Sequence, residues 1–182
     1  MDPIIRKLAT LGPREIRELG DVLIDCVENG ASVSFMAPMT REKADAFWRG
    51  VAEGVARGER VVVAAYEADG TIAGTAQVIL SQPENQPHRA DVAKMLVRRS
   101  ARRRGLGAAL LAAAEAEAAR AGKTLLVLDT ASADAERLYA AHGWERCGVI
   151  PGYALLPSGE PCATVVFFKR LSAAAREAAA AD

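Results

Sequence analysis

Helical and strand-like patterns alternate along the chain and predict a protein that contains both. Apolar residues recur every three or four positions from Ile16 to Val27 and from Ala44 to Val55, as on helix faces that pack against a core. Short apolar and β-branched runs bounded by Gly, Pro and Asp indicate strands. The predicted strands are residues 3–9, 60–67, 71–80, 91–97, 125–130, 143–149 and 163–169, and the predicted helices are 13–29, the segment between Thr40 and Gly58, 106–121 and 133–142.

This order, β-α-α-β-β-β-α-β-α-β-β, predicts a mixed sheet with helices on its faces. The strand–helix–strand unit from Asp91 to Thr130 requires a parallel crossover. Asp69-Gly70 predicts a hairpin between two antiparallel strands. Residues 81–88 and 151–161 are expected to be loops. We expect one domain over residues 1–171 and an alanine-rich C-terminal tail over 172–182.

Composition narrows the class of protein. The chain has 182 residues, of which 51% are hydrophobic, and its 23 basic residues balance 23 acidic ones. Such a balance argues against a nucleic-acid or anionic-membrane partner. The charged start of the chain lacks the apolar core of a signal peptide, and no apolar run approaches the roughly 18 residues of a membrane span, so a cytoplasmic protein is expected.

Cysteine and histidine are too sparse for a metal site. Cys26, Cys147 and Cys162 form no CxxC motif, and only His88 and His142 are available as imidazole ligands. We therefore expect neither a metal nor a disulfide framework. The pattern carries no information on assembly, so a monomer and a homodimer both remain open.

The segment Arg102-Arg103-Arg104-Gly105-Leu106-Gly107 is the strongest functional signal. It lies between a predicted strand and a predicted helix. A helix N-terminus offers unpaired N–H groups and a positive dipole end, and glycine lets a ligand approach the backbone closely. The segment therefore predicts a binding site for a pyrophosphate. The alternative is a solvated arginine loop or a weak nucleic-acid patch.

Two nucleotide motifs fail on their spacing. A Rossmann fingerprint would place a third glycine where Leu110 stands, and Leu110 is too bulky for close helix–strand packing. A P-loop would need a glycine at Glu117 before Gly122-Lys123-Thr124, and that triplet follows a helix instead of preceding one.

An Arg-x-x-Gly-x-Gly turn after a strand resembles the acyl-CoA pyrophosphate loop of the GNAT N-acetyltransferases. Leu138-Tyr139 followed by Gly143-Trp144 is similar to the family's helix-then-strand signature, and the element order also matches over roughly 160 residues. The resemblance implies a GNAT-like acyl-CoA N-acyltransferase fold of the α/β class. Its sheet would be mixed and mostly antiparallel, with a splayed parallel strand pair and helices on both faces.

A narrower similarity concerns the tabtoxin-resistance acetyltransferase branch. Four segments carry it: GASVSFM at residues 30–36, Leu128-Asp129-Thr130, Pro151-Gly152-Tyr153 and Phe168-Lys169. This similarity implies an acceptor that is a toxin or an amino-acid-like antibiotic, and hence a resistance function.

The family resemblance implies acetyl-CoA as co-substrate and a set of residues that hold it. The strand before the turn would pair with the pantetheine arm, and the turn amides with arginine assistance would bind the pyrophosphate. The implied residues are Met95, Leu96, Val97, Arg102, Arg103, Arg104, Gly105, Leu106, Gly107, Ala108 and Ser132. This sequence departs from the family in having Arg99 where proline is frequent, Arg103 where glycine is frequent and Ser132 near a frequent asparagine.

The implied reaction is direct acetyl transfer to the primary amine of a small molecule. A carboxylate would accept the amine's proton, and the candidates are Asp91 and Asp129 because both lie on the predicted parallel strands. Tyr139 matches the family tyrosine near the CoA sulfur and is the candidate general acid. The structural alternatives are a strand-edge charge for Asp91, a cap for Asp129 and plain core packing for Tyr139.

Two other functions remain open from the sequence. A weakly catalytic acyl-CoA sensor would have lost the proton-handling residues, whereas Tyr139, Asp91 and Asp129 are all present. An acetyltransferase for protein N-termini or lysines would need an open peptide groove, which the sequence does not reveal.

Overall fold

The computed structural model describes residues 3–173 and residue 179, and these form one seven-stranded sheet between two helical layers. The strands are β1 (Ile4–Lys7), β2 (Arg60–Tyr66), β3 (Ile72–Ile79), β4 (Arg89–Val97), β5 (Leu125–Thr130), β6 (Glu145–Leu155) and β7 (Pro161–Arg170). The helices are α1 (Pro13–Glu28), α2 (Arg41–Ala56), α3 (Leu106–Arg120) and α4 (Ala133–Ala141). The predicted element order is confirmed.

The sheet has the order β1-β2-β3-β4-β5-β7-β6. All neighbouring strands are antiparallel except β4 and β5, which run parallel and are connected through α3. The predicted mixed, mostly antiparallel sheet with one parallel pair is therefore confirmed. The predicted β2–β3 hairpin also forms, and it turns at Gly70, whose φ is 80°.

Strand alternation distributes the core over both faces of the sheet. Val61, Val63 and Ala65 of β2 pack with the apolar face of α3, whereas Val62 and Ala64 point to the opposite side. On that side α1 and α2 cover the sheet, and Trp48 of α2 is completely buried. Because successive side chains of a strand point to opposite faces, one sheet holds two hydrophobic layers.

Local signals set the helix ends. The Glu15 carboxylate accepts from the Gly12 N–H (2.9 Å) at the start of α1, and the Thr40 hydroxyl accepts from the Lys43 N–H (3.3 Å) at the start of α2. Such caps satisfy N–H groups that have no partner inside the helix. Past the ends of these helices, Gly30 and Gly58 adopt positive φ, as predicted for glycine stops.

One predicted loop is wrong. Residues 151–161 were expected to be irregular, but β6 continues to Leu155 and β7 begins at Pro161, so the connection spans only residues 156–160. β6 is an edge strand, where a proline removes no ladder hydrogen bond that the sheet needs. The register shifts between Ile150 and Ala154, and Gly152 has a φ of 61°, so the strand passes Pro151 as an irregularity.

The predicted tail, residues 172–182, lies outside the described residues except for 172, 173 and 179. Ala179 is buried, and its carbonyl accepts from the Arg120 Nε at 3.0 Å.

Candidate active site

The parallel strands β4 and β5 separate in the middle of the sheet. They pair over only three residues each, from Arg89 to Asp91 and from Leu125 to Val127. Beyond that point β4 continues to Val97 and β5 to Thr130 without pairing to each other. A cavity of about 290 Å³ opens there, and it is lined by Asp91, Val92, Ala93, Val127, Leu128, Asp129, Ile150, Tyr153 and Val166.

Met95, Leu96 and Val97, the residues predicted to pair with an extended ligand, lie on the separated part of β4. Their β5-facing backbone edge lacks a strand partner, as pairing with such a ligand requires. Arg102 occupies part of this edge, because its Nε donates to the Val97 carbonyl at 3.1 Å.

The turn after β4 has the geometry of an anion site. The first helical hydrogen bond of α3 runs from the Ala109 N–H to the Gly105 carbonyl at 3.1 Å. Within the described part of the chain, the N–H groups of residues 103–108 donate to no protein acceptor. Gly105 has a φ of 81°, and no atom lies within 4 Å of where its Cβ would be, so the turn is open for a ligand. Leu106 and Ala108 contribute amides of the first helical turn.

Arg103 stands at a strained position of this turn. Its φ is 58°, in the left-handed region that favours glycine, which explains why glycine is frequent there in the family that the sequence resembles. The side chain is exposed, and among the described residues it has no ion-pair partner. Arg103 is therefore the arginine of the turn that is free to meet a phosphate.

Arg104 is engaged elsewhere. Its guanidinium forms a bidentate pair with Glu67 at the end of the β2–β3 hairpin, with both N–O distances 2.9 Å. Sequence reasoning could not find this contact, because the two residues are 37 positions apart. The pair fixes the turn against the hairpin and leaves Arg104 less available to a ligand.

Gly107 allows α3 to pack closely on α4. A Cβ at this position would lie 3.3 Å from the Leu138 Cδ2. Leu138 precedes Tyr139, so the second glycine of the turn and the Leu138-Tyr139 pair belong to one packed unit. Ser132 caps the same helix, since its hydroxyl accepts from the Ala135 N–H at 3.3 Å. That contact gives Ser132 a structural role at the start of α4.

Tyr139 of α4 lies in the hydrophobic core among aromatic side chains and is absent from the lining of both cavities. It is 4% exposed, and its ring lies 5.9 Å from that of Trp144 and 5.8 Å from that of Phe167. Burial, reinforced by the negative charge of Asp129, raises the pKa of Tyr139 to about 12. The phenol therefore keeps its proton at neutral pH, and the raised pKa makes it a weaker acid than an exposed tyrosine.

Asp129 and Asp91 occupy different settings. Asp129 lies on β5 past the separation, one residue before the strand ends, and its carboxylate accepts from the Thr164 hydroxyl at 2.7 Å. Asp91 stands at the last paired position of β4, where Arg89 forms an ion pair with it and the Gln82 amide donates to it at 3.0 Å. Of the two carboxylates, Asp129 is the one that lacks a bound cation within the described residues.

A second cavity, of about 360 Å³, lies beside the first. Its walls are the loop between α1 and α2, the last part of β6 and the start of β7; the lining residues are Ser32, Ser34, Phe35, Met36, Asp129, Ala131, Tyr153, Ala154, Leu155, Cys162, Ala163 and Thr164. Asp129 and Tyr153 line both cavities. The two cavities therefore meet at a carboxylate.

Sequence reasoning missed Lys94 and Thr164, and it named Tyr153 only within the segment Pro151-Gly152-Tyr153, without a role in the site. Lys94 lies on a β-bulge, Thr164 contacts Asp129 across the β5–β7 pair, and Tyr153 lies on the part of β6 that was predicted to be a loop. No local motif marks Lys94 or Thr164. GASVSFM did single out the loop that carries Ser32 and Ser34.

The described residues contain no group of three or more His, Cys, Asp or Glu side chains that could hold a metal ion. Within residues 3–173, no helix is both long and apolar enough to cross a membrane.

Comparison with known proteins assigns the family. Residues 27–144 match the acetyltransferase (GNAT) family. The chain belongs to this family. A curated relative, an uncharacterized N-acetyltransferase in the hisH-hisA intergenic region of Azospirillum brasilense, is 32% identical over 130 residues, which cover 70% of this chain and 75% of the relative.

Two solved structures share the fold of the enzyme. The ribosomal-protein-alanine N-acetyltransferase from Brucella melitensis has a TM-score of 0.78 and 22% identity, covering 92% of this chain and 99% of that one. A GNAT superfamily phosphinothricin acetyltransferase from Sinorhizobium meliloti, in complex with acetyl-CoA, has a TM-score of 0.78 and 18% identity, covering 94% of this chain and 90% of that one. The enzyme is therefore a GNAT acetyltransferase, as the turn and the element order predicted.

Proposed function

We propose that the enzyme transfers the acetyl group of acetyl-CoA directly to a primary amine of a small molecule. The observation that carries this proposal is the position of Asp129, which lines both the cavity between β4 and β5 and the neighbouring one. A donor in the first cavity and an acceptor in the second would meet at a group able to accept a proton.

On the donor side, Met95, Leu96 and Val97 would pair with the pantetheine arm along the open edge of β4. The amides of residues 103–108 would bind the pyrophosphate at the start of α3, with Arg103 as the charged side chain that faces it, whereas the Arg102 N–H already donates to the Arg99 carbonyl. Acetyl-CoA supplies the activated acyl group, and the described residues would hold it without a metal.

On the acceptor side, Asp129 would accept the proton of the ammonium group, directly or through water. Its hydrogen bond from Thr164 holds the carboxylate at the junction of the two cavities. Asp91 remains a second candidate, but its ion pair with Arg89 supports a role in shaping the point where the strands separate.

The chemistry then balances in a single displacement. The neutral amine attacks the thioester carbonyl, a C–N bond forms, the C–S bond breaks, and the thiolate of CoA leaves. The attacking nitrogen then releases a proton to solvent and becomes an amide nitrogen. Tyr139, whose phenol is neutral at pH 7, would protonate the thiolate and regain its own proton from solvent. No covalent acyl-enzyme is needed.

We further propose that residues 1–171 act as one catalytic domain, with 172–182 as an appendage. The acceptor class implied by the tabtoxin-resistance similarity, a toxin or an amino-acid-like antibiotic, fits a cavity of about 360 Å³.

Thermal shift with acetyl-CoA, CoA, NAD and ATP tests the donor. We expect acetyl-CoA and CoA to stabilise the enzyme, and stabilisation by NAD or ATP alone would contradict the proposal. CoA release is then measured across a panel of small amines and N-terminal or lysine peptides. Turnover of peptides alone would replace the small-molecule assignment with protein acetylation.

Asp129→Asn tests the base. Since a positioned general base contributes about 10²–10⁴-fold, we expect kcat/KM to fall at least a hundredfold. Asp91→Asn should have a smaller effect, and Asp134→Asn, an exposed aspartate on α4, serves as the control. An Asp129→Asn enzyme with the wild-type rate–pH profile would remove Asp129 from the mechanism.

A further inference from the structure

Lys94 reaches the acceptor side of the sheet because β4 carries a bulge there. On either side of Ala76 of β3, Thr75 pairs with Leu96 of β4 and Gln77 pairs with Ala93 of β4. Ala76 therefore lies opposite two residues of β4, Lys94 and Met95. Lys94 takes a φ of 51°, an uncommon conformation for a residue with a side chain. The bulge re-aims this side chain towards the loop between α1 and α2.

The ammonium of Lys94 has polar and aromatic neighbours but no counter-ion. Its Nζ donates to the Ser34 Oγ at 3.1 Å and lies 5.9 Å from the centre of the Phe47 ring. No carboxylate of the described residues lies within 4 Å of it. Burial lowers the pKa of Lys94; the negative charge of Asp129 opposes this shift, and the positive charge of Arg60 adds to it.

Asp129 carries the opposite charge to Lys94 and likewise lacks an ion-pair partner among the described residues. Its carboxylate accepts from Thr164, and the described residues place no cation within 4 Å of it. Ser34, the partner of Lys94, lines the same cavity as Asp129 and Thr164. Asp129 thus lines the cavity directly, whereas Lys94 does not line it and reaches it through Ser34. The two charges are too far apart to form an ion pair but close enough to interact electrostatically.

Taking the proposed function as its basis, we propose that Lys94 is a specificity-determining residue that binds an oxyanion of the acceptor. The acceptor is then a small zwitterion, with its amine at Asp129 and a carboxylate or related oxyanion at Lys94 and Ser34. An ammonium without a counter-ion in a partly desolvated site gains most from a ligand that brings the missing charge.

The test uses matched acceptors that differ only in this charge. An amino acid and its carboxamide are compared by CoA release, for example methionine with methioninamide and glutamine with glutamine amide. A charge-assisted hydrogen bond in such a site corresponds to about ten- to a hundredfold in kcat/KM, so wild type should prefer the acid by that factor.

Lys94→Met should bring the acid-to-amide ratio close to one, mainly by raising KM for the acid. Lys94→Arg keeps the charge and should restore much of the preference. The control is Lys43→Met, which removes an exposed lysine on α2 and should keep the wild-type ratio. A folded Lys94→Met enzyme is verified by its stabilisation with CoA, which binds on the other side of Asp129.

The outcomes separate the two proposals. If amines are acetylated but wild type shows no preference for the acid, or Lys94→Met keeps the preference, the inference on Lys94 is wrong and the acetyltransferase proposal stands. If no amine releases CoA from acetyl-CoA, the proposed function itself fails.

Discussion

The Tyr139→Phe substitution removes the proposed catalytic hydroxyl and keeps the ring that packs in the core. The ring packs against Trp144 and Phe167, and Phe preserves those contacts. Among the described residues, no protein group forms a hydrogen bond with the hydroxyl, so its removal leaves no buried partner unsatisfied. We therefore expect the free energy of unfolding at pH 8 to stay within about 1 kcal/mol of wild type.

The kinetic effect should be large. General acid catalysis contributes about 10²–10⁴-fold, so kcat should fall roughly a hundredfold or more while KM for acetyl-CoA changes little. A thioester with a more acidic leaving thiol needs less help from a general acid. With such a substrate, the ratio of the wild-type kcat to the Tyr139→Phe kcat should therefore be smaller. The control is Tyr66→Phe, which alters a half-buried tyrosine on β2 outside both cavities and should leave kcat unchanged.

The pH dependence of the free energy of unfolding gives an independent measure of the shifted pKa of Tyr139. Raising the pKa of Tyr139 from its ordinary value of 10 to about 12 favours the neutral phenol in the folded state by about 3 kcal/mol. Below pH 10 this contribution is fully present, because both states are protonated. As the pH rises from 10 to 12 the unfolded chain ionises first, so the contribution is lost.

Urea denaturation between pH 8 and pH 11.5 measures this loss. The free energy of unfolding of wild type should decrease with alkaline pH more steeply than that of Tyr139→Phe, by about 2 kcal/mol at pH 11.5, where the folded protein is still mostly protonated at this group. Parallel curves for the two proteins, or a kcat for Tyr139→Phe within threefold of wild type, would refute the reasoning.

Two further changes test the donor side. In Gly74→Ala the new Cβ would lie 2.8 Å from the Leu96 carbonyl oxygen, so β4 must shift. We therefore expect the free energy of unfolding, measured by urea denaturation, to fall by about 1–3 kcal/mol and KM for acetyl-CoA to rise. A wild-type KM would show that β4 does not hold the cofactor. Arg103→Ala should raise KM for acetyl-CoA more than Arg104→Ala, whose guanidinium is bound to Glu67, and the reverse order in steady-state kinetics would assign the phosphate contact to Arg104.

Local pattern was sufficient for most of the fold. The turn after β4, the crossover through α3 and the helix stops at Gly30 and Gly58 depend on residues close in sequence, and each was predicted. The separation of β4 and β5 was expected only through the family resemblance, since nothing in the two strands' composition shows where their pairing ends.

The remaining errors have long-range causes. Pro151 and Gly152 signal a loop by local chemistry, but β6 is an edge strand that pairs on one side with β7 and can pass a proline. Lys94 reaches Ser34 of the loop between α1 and α2 because of a bulge that depends on pairing with β3. The Arg104–Glu67 pair likewise depends on how the hairpin folds back on the turn.

The division of the sheet between its centre and its edge has a consequence for engineering. The proposed donor site is built from β4, β5 and the start of α3, whereas the proposed acceptor cavity takes most of its wall from the loop between α1 and α2 and from the β6–β7 hairpin. Residues 31–36 and 151–160 could therefore be exchanged for other sequences without cutting a central strand. A library confined to these two segments, with Tyr153 kept because it also lines the cavity between β4 and β5, would vary the acceptor cavity while preserving the proposed donor site.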